Sequence, residues 1–402
     1  MKRPTRVTRN GRAAPSTLLV AAALALSAAV SLGLARFSYA LLLPPMRTDL
    51  GWSYLTAGAM NTVNAAGYLI GALLLPRVLA RFDARGVLLA GGAGAALLLI
   101  AHGCVTGDAA LFSLRFASGI ASAAAFVAGG LLAARLAAPA PRSAGLVLGI
   151  YYGGTGIGII VSALLVPPIA GRAAVHAWQG AWIALGLVAL LATAITGAAT
   201  RHLAVPRAAA VAPARFRWAP FGYGLAAYFL FGFGYIGYMT FVITLLHVQQ
   251  MSGAGIVAFY VVLGAAVVGS SWLWAGLLQR FRGGESLALL NGLLAVATLL
   301  PALSAHPLAV FASGLLFGSV FLSLVASTTA LVRHNLPPAA WSGGIGAFTI
   351  VFAAGQIVGP SLVGWVADGP GGLVRGFVLS ALVLAAGAAL ASRQKPLAPA
   401  PT

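Results

Sequence analysis

Apolar residues in this chain form long, nearly uninterrupted runs, and polar residues are confined mainly to the short segments between them. The runs are about 20 residues or longer, which is the length that an α-helix needs to cross the hydrocarbon core of a bilayer. Strands of a membrane barrel would instead alternate polar and apolar residues over about ten positions. The pattern therefore predicts an all-α membrane protein.

Twelve such runs are present, and each is predicted to form one transmembrane helix. The eleventh run is interrupted by Pro360, and the fifth ends at Pro167 and Pro168. Prolines are tolerated in membrane helices because neighbouring groups satisfy the freed backbone atoms. The predicted helices cover residues 17–45, 55–76, 86–105, 109–134, 144–168, 178–199, 220–246, 254–278, 286–304, 307–332, 342–366 and 372–391.

Composition supports a protein that lies almost entirely in the bilayer. Of its 402 residues, 60% are hydrophobic and 7% are charged, whereas soluble domains carry about 25% charged residues.

Residues 1–16 are similar to the basic start of a signal peptide, but the apolar run that follows is too long and lacks a clear cleavage site. We therefore expect an uncleaved first helix. The single cysteine, Cys104, excludes an intrachain disulfide.

The net charge of +19 is distributed very unevenly over the predicted topology. Nineteen of the 24 Lys and Arg residues fall on the side of the two termini, and three, Arg47, Arg172 and Arg375, fall on the other side. By the positive-inside rule both termini are cytoplasmic. The sequence thus predicts a multi-pass protein of the cell inner (plasma) membrane. The charge is explained by topology and anionic lipid, so we expect no nucleic-acid partner, and we expect a monomer.

Short sequence matches recur 199 residues apart, as they would in two related halves. Arg81-Phe82 aligns with Arg280-Phe281, and Gly119 aligns with Gly318. The repeat predicts two pseudo-symmetric six-helix bundles. The chain is then divided into a cytoplasmic tail at 1–16, the first bundle at 17–199, a cytoplasmic linker at 200–219, the second bundle at 220–391 and a second cytoplasmic tail at 392–402.

This organisation resembles the major facilitator superfamily. Arg115-Phe-Ala-Ser-Gly119 is similar to the fourth-helix motif of that family, and residues 80–86, ARFDARG, resemble its loop between helices 2 and 3. The usual acidic residue of the loop falls at Ala80, and Asp83 replaces the usual glycine. Residues 33–46, GLARFSYALLLPPM, and 64–73, NAAGYLIGAL, also resemble the YbfB-type branch.

The resemblance implies a secondary transporter that works by alternating access, with helices 1, 2, 4 and 5 of the first half lining a central cavity. It gives candidate residues for gating and helix packing, which are Arg81, Asp83, Arg85, Gly119, Gly153, Gly158, Gly359 and Pro360. The Gly-Pro pair of the family's antiporters is missing from the fifth helix, where Gly158 precedes Ile159. This departure argues against a drug:proton antiporter.

Two arginines, Arg36 and Arg115, lie inside predicted helices. Counted from the predicted helix ends, they lie about 13 and 9 Å deep at 1.5 Å per residue. The five acids, in contrast, all lie in loops or at helix ends. A buried unpaired cation is costly, so we expect water or an anionic ligand beside these guanidinium groups. Because guanidinium matches carboxylate geometry, a small organic carboxylate is the favoured substrate.

Other polar and aromatic side chains in the predicted helices complete the candidate substrate site. Asn61, Asn64 and Tyr68 share one helical face. Arg115 has an alternative role as a structural pin that binds backbone carbonyls of helix 1, and the asparagines have one as interhelical contacts. The full candidate set is Arg36, Tyr39, Asn61, Asn64, Tyr68, Arg115, Tyr151, Tyr152, Tyr235, Tyr238 and Gln356.

Two other functions remain open from the sequence. The aromatic side chains also suit an efflux transporter for neutral or weakly acidic lipophilic compounds, and a membrane receptor or assembly factor that has lost transport is a third possibility. We expect neither an enzyme nor a cofactor or metal, because no catalytic or phosphate-binding motif is present in a suitable context. Without a membrane-embedded acid, facilitated diffusion, anion exchange and uptake with a substrate-borne proton are all compatible with the sequence.

Overall fold

The computed structural model describes residues 17–138, 144–203 and 216–397. Within these ranges twelve helices are long and apolar enough to cross a membrane, and no strand occurs. We number them α1 Thr17–Leu50, α2 Tyr54–Arg81, α3 Ala84–His102, α4 Asp108–Ala137, α5 Ala144–Ala170, α6 Ala177–Thr200, α7 Gly222–Val248, α8 Gly253–Arg280, α9 Glu285–Leu303, α10 Pro307–Asn335, α11 Trp341–Asp368 and α12 Gly372–Ala391. The predicted all-α architecture is confirmed.

Helix α1 differs from its predicted form in two respects. Its middle part, Ala29–Phe37, is π-helical, and the helix continues through Pro44 and Pro45 to Leu50 rather than ending at residue 45. It ends at Gly51, whose φ of 65° is a left-handed conformation that glycine adopts without strain. Arg36 is therefore about 21 Å from the helix end at 1.5 Å per residue, which is deeper than the sequence predicted.

Two other helices also depart from the predicted boundaries. Helix α5 does not end at Pro167 and Pro168 but continues to Ala170. Helix α8 is interrupted at Trp274, which separates Gly253–Leu273 from Ala275–Arg280. The first tail and most of the predicted linker, together with the last five residues, lie outside the described ranges.

Equivalent glycines make the same contact in the two halves. A Cβ atom added at Gly119 on α4 would clash with the carbonyl oxygen of Asn64 on α2. A Cβ atom added at Gly318 on α10 would clash in the same way with the carbonyl oxygen of Leu263 on α8. Gly318 and Leu263 lie 199 positions after Gly119 and Asn64, respectively. Small residues thus allow the same close helix crossing in both bundles.

The two bundles meet along three pairs of helices, α1 with α7, α2 with α11 and α5 with α8. Helices α1 and α7 are the most buried of the twelve and lie at the centre. We call the end of the molecule that contains Asp49, Tyr54 and Asp368 the Asp368 end, and the opposite end, which contains Arg81, the Arg81 end. The candidate site lies between these ends, where α1, α2 and α7 approach one another.

Candidate functional site

Arg36 is a buried cation without a counter-charge among the described residues. Its side chain is 4% exposed, and its Nε and Nη2 atoms are buried without a hydrogen-bond partner among the described residues. The guanidinium carbon lies 5.7 Å from the centre of the Tyr68 ring, which is a cation–π distance. The group therefore offers donors that the described protein atoms do not use.

Residues of both halves surround Arg36. Tyr68 on α2 lies within electrostatic range of Arg36, of Tyr235 on α7 and of Tyr152 on α5. Tyr235 in turn accepts a hydrogen bond from Nε2 of Gln356 on α11. Tyr152 remains 38% exposed although its ring contacts Tyr151 and Phe126. The structure thus brings five predicted residues into one neighbourhood, namely Arg36, Tyr68, Tyr152, Tyr235 and Gln356.

The second half contributes a continuous aromatic wall to this neighbourhood. Phe352 stacks on Tyr228 and Tyr235, with ring centres 4.9 and 5.6 Å apart. Phe321 stacks on Tyr235 at 5.1 Å and meets Phe37 of the first half edge-on at 5.7 Å. Such a wall suits a flat apolar group and provides no charge.

Arg115, in contrast to Arg36, is bound by the protein. It is fully buried, and its Nη1 and Nη2 atoms donate to the carbonyl oxygen of Ala35 and to Oδ1 of Asn61, both at 2.8 Å. The guanidinium carbon also lies 4.9 Å from the ring centre of Tyr39. Of its nitrogen atoms, Nε lacks a partner among the described residues. This geometry favours the structural alternative for Arg115, a pin that joins α4 to the backbone of α1.

The two asparagines of α2 are also bound within the protein. Asn61 uses both ends of its amide, because Oδ1 accepts from Arg115 and Nδ2 donates to Oγ1 of Thr240 on α7 at 2.8 Å. Asn64 donates to the main-chain oxygen of Arg115 at 3.0 Å. Both residues therefore act as interhelical contacts in this structure, and Asn61 connects the two bundles.

Three predicted tyrosines have hydroxyl groups that are hydrogen-bonded within their own bundle. Tyr39 donates to the carbonyl oxygen of Ala57 at 2.8 Å. Tyr151 donates to the carbonyl oxygen of Phe126. Tyr238 shares a hydrogen bond of 2.8 Å with Ser313, and its ring stacks on Phe317 at 4.0 Å. All three residues pack within their own bundles, and Tyr151 borders the site through its ring contact with Tyr152 at 5.1 Å.

The charged gating candidates lie at the Arg81 end. The hydrogen bonds described for them are with residues of their own half. Arg81 is exposed. Asp83 caps α3 by accepting from the amide of Gly86 at 2.9 Å. Arg85 donates to the carbonyl oxygen of Gly197 at 2.8 Å. These contacts order the loop and fix α3 against α6.

The glycine candidates differ in what they contact. Gly158 packs against the backbone of α1, and Gly359 packs against the carbonyl oxygen of Phe233 on α7. Gly153 has only ordinary contacts, with Val268 atoms at 3.6 Å or more. Gly156, which the sequence did not single out, crosses Gly264 of the other half. Pro360 has its carbonyl oxygen against Gly58 on α2.

Two of the acids, Asp368 and Asp49, join neighbouring elements at helix ends. Asp368 accepts from the amides of Tyr54 and Leu55 at 2.7 and 2.9 Å, which joins α11 to the first turn of α2. Asp49 accepts from Trp178 and forms, within the described ranges, the one salt bridge, with His176. No group of three or more His, Cys, Asp or Glu that could hold a metal ion occurs there.

A cavity of about 590 Å³ opens at the Asp368 end between the halves, and Asp49, His176, Trp178 and His247 contribute to its lining. Arg36 does not line this cavity.

Sequence reasoning missed Tyr260 and Asp368 as residues that join the halves. Tyr260 lies on α8 and donates to the carbonyl oxygen of Phe37 at 2.7 Å.

The family is identified by a match over most of the chain. A family model described as "Uncharacterised MFS-type transporter YbfB" covers residues 28–392. The chain belongs to the YbfB-type family of major facilitator transporters. No curated protein sequence matches it. The superfamily and branch that the sequence resembled are therefore confirmed, and the family supports a membrane transport protein rather than an enzyme.

Solved structures of major facilitator transporters share the fold of this YbfB-type chain. A bacterial homologue of the human lysosomal transporter Spinster, inward-facing and unoccupied, matches with a TM-score of 0.72 and 14% identity over 94% of this chain and 96% of that one. The nucleoside transporter NupG matches with a TM-score of 0.70 and 15% identity over 94% and 99%. The human organic anion transporter MFSD10 matches with a TM-score of 0.63 and 15% identity over 94% and 100%.

Proposed function

We propose that this YbfB-type transporter carries a small organic carboxylate across the membrane by alternating access and that Arg36 binds the carboxylate. The observation that carries the proposal is the buried guanidinium of Arg36, with Nε and Nη2 free of hydrogen bonds to the described residues. A buried donor without a partner costs about 1–3 kcal/mol, and more when it is charged. A carboxylate would satisfy both atoms and supply the missing charge.

The surroundings of Arg36 support an anion with an apolar body. The ring of Tyr68 lies beside the guanidinium, and Tyr235 lies within its electrostatic range. Phe321 and Phe352 extend the aromatic surface from Tyr235. All five acids of the sequence lie at helix ends, away from this neighbourhood. An organic cation would therefore meet a positive charge and no carboxylate.

The proposed setting is the inner (plasma) membrane with both termini and the Arg81 end in the cytoplasm, as the charge distribution favours. Hydrogen bonds join the halves towards the Asp368 end, and Arg36 does not line the cavity that opens there, so the site would be closed to the outside in this conformation. The protein would work as a monomer. MFSD10 is an organic anion transporter, but its 15% identity makes it a guide to the fold and not to the substrate of this chain.

The proposal is tested by the thermal stability of the purified protein with benzoate, benzamide or benzylamine. These probes share one ring and differ in charge. We expect benzoate to stabilise the protein, by about 2.7 kcal/mol when its concentration is 100 times Kd. Arg36→Gln should abolish this effect. Arg375→Gln, which removes a charge from an exposed arginine bound to the Pro370 carbonyl, is the matched control and should retain it.

Each alternative function predicts a different result in the same experiment. Stabilisation by benzylamine alone, or by benzoate equally in Arg36→Gln, would refute the carboxylate proposal. Equal stabilisation by benzamide and benzoate would favour the efflux of neutral or weakly acidic lipophilic compounds. Binding of benzoate without uptake into proteoliposomes would favour a receptor or assembly factor.

A further inference from the structure

The backbone on both sides of Arg36 is held by side chains from other helices. The carbonyl oxygen of Ala35 accepts from Nη1 of Arg115 at 2.8 Å, and the carbonyl oxygen of Phe37 accepts from the hydroxyl of Tyr260 at 2.7 Å. Both carbonyls belong to the π-helical stretch of α1. π-Helical turns are rare and occur frequently at functional sites. The main chain on either side of Arg36 is thus held by these two hydrogen bonds.

The two hydrogen bonds come from different bundles. Tyr260 is fully buried on α8 of the second half, so its bond to Phe37 crosses between the halves. Arg115 lies on α4 of the first half, and its Nη2 atom continues the connection to Asn61. Asn61 then donates to Thr240 on α7. Arg36 is therefore connected to the second half on each side, once directly and once through a relay.

The relay has a fixed direction of hydrogen bonding. Because guanidinium only donates, Oδ1 of Asn61 must face Arg115, and Nδ2 is left to face Thr240. The hydroxyl of Thr240 donates its own proton to the carbonyl oxygen of Ile236 at 2.6 Å, which leaves a lone pair for Asn61. Arg115 therefore determines which atom of Asn61 is presented to the other half.

We propose that Tyr260 and Arg115 are positioning residues for Arg36, which hold its guanidinium in the binding geometry when the halves are closed at the Asp368 end. This inference rests on the proposed function of Arg36. Opening at that end separates the bundles, so the bonds Tyr260–Phe37 and Asn61–Thr240 must break. Arg36 then loses its support, and the affinity for the carboxylate falls. By linkage, a bound carboxylate stabilises the closed arrangement to the same extent.

The first test is the affinity of Tyr260→Phe for benzoate, measured with the purified full-length protein. The variant keeps the ring and removes the hydroxyl, and we expect Kd to rise roughly threefold to tenfold, as for one hydrogen bond. Thr196→Val is the matched control, because Thr196 also donates to a carbonyl of α1, that of Ala23, but from α6 of the same half. Its Kd should equal that of the wild type.

A second measurement reports the closed state and is independent of overall stability. Thr244 is buried one turn beyond Thr240 on α7, and a cysteine there, in a Cys104→Ala background, gives a thiol that becomes accessible when the halves part. Benzoate should slow labelling of this thiol. The protection should be weaker in Tyr260→Phe and in Thr240→Val, and it should be restored in Thr240→Ser, which keeps the hydroxyl.

The outcomes separate this inference from the function on which it rests. If benzoate does not bind the wild type, the proposed function and the inference both fall. If benzoate binds through Arg36 but Tyr260→Phe has the wild-type Kd and protection, only the inference is overturned. If Tyr260→Phe does not fold, the comparison of Thr240→Val with Thr240→Ser decides the question, and equal protection in the two would overturn it.

Discussion

The two halves of this protein share a backbone plan but differ in the chemistry they direct to the centre. At the position of Arg115 the second half has Gly314, 199 residues later, and the space beside it is taken by the ring of Phe259. The first half contributes the two arginines and two asparagines, and the second contributes mainly stacked aromatic rings together with the amide of Gln356. The two halves thus share a glycine-mediated helix packing while their inner surfaces differ in charge.

The comparison within the first half is equally informative, because its two buried arginines have opposite states. Arg115 donates to two protein oxygens, whereas the Nε and Nη2 atoms of Arg36 donate to none among the described residues. Removing a buried cation that is bound leaves its acceptors unpaired and destabilises the protein, whereas removing one that is unbound should cost little. The three experiments below separate structural from functional residues on this basis.

The largest effect is expected for Arg115→Leu. The carbonyl oxygen of Ala35 and Oδ1 of Asn61 would both lose their donor, at about 1–3 kcal/mol each. Thermal unfolding of the purified protein in detergent measures the loss. Arg36→Gln is the comparison, and without ligand its stability should equal or exceed that of the wild type. Similar losses for the two variants would show that Arg36 also has a structural bond.

An intermediate effect is expected at the glycines that the halves have in common. Gly119→Ala and Gly318→Ala each push a Cβ atom into a carbonyl oxygen of the facing helix, so both should destabilise the protein by about 1–3 kcal/mol. Gly346→Ala is the control, because its Cβ would meet nothing within 4 Å, and alanine is the better helix former. If alanine is tolerated at only one of these two positions, the two halves do not pack equivalently there.

The smallest effect is expected for Asp368→Asn, which weakens the contact between α11 and the first turn of α2. A carboxylate at a helix N-terminus contributes about 0.3–1 kcal/mol, so labelling of the Thr244→Cys thiol should accelerate roughly twofold to fivefold. Asp83→Asn alters the same kind of cap within one half and should leave the labelling rate unchanged. An equal acceleration in both variants would mean that Asp368 does not hold the halves together.

Sequence reasoning was most successful where the signal is local or repeated. Hydropathy gave the twelve helices, and the 199-residue spacing of Gly119 and Gly318 agrees with equivalent contacts in the structure. Sequence reasoning did not predict the π-helical stretch around Arg36, because no residue pattern marks the shift of main-chain hydrogen bonds by one residue. This stretch matters because two of its carbonyl oxygens, those of Ala35 and Phe37, accept hydrogen bonds from other helices.

Contacts between the halves were the least predictable part of the site. Tyr260 is 223 residues from Phe37, and Thr240 is 179 residues from Asn61. A main-chain carbonyl such as that of Ala35 has no signature in the sequence, so the partners of Arg115 could be offered only as one of two alternatives. Both arginines could be placed inside predicted helices from the sequence. Whether each one is hydrogen-bonded depends on which acceptors the fold brings near it.

The confinement of all five acids to helix ends has an energetic consequence for transport. Under the proposed function, an anion paired with the fixed guanidinium of Arg36, and not with a proton, would take its own charge across the membrane. A potential of 100 mV, negative at the Arg81 end, would then drive a monoanion towards the Asp368 end by about 2.3 kcal/mol. Accumulation in the opposite direction would need a proton travelling with the anion or a second anion travelling the other way. Both couplings are electroneutral at one-to-one stoichiometry, so an electrical current during transport would indicate uncoupled movement of the anion.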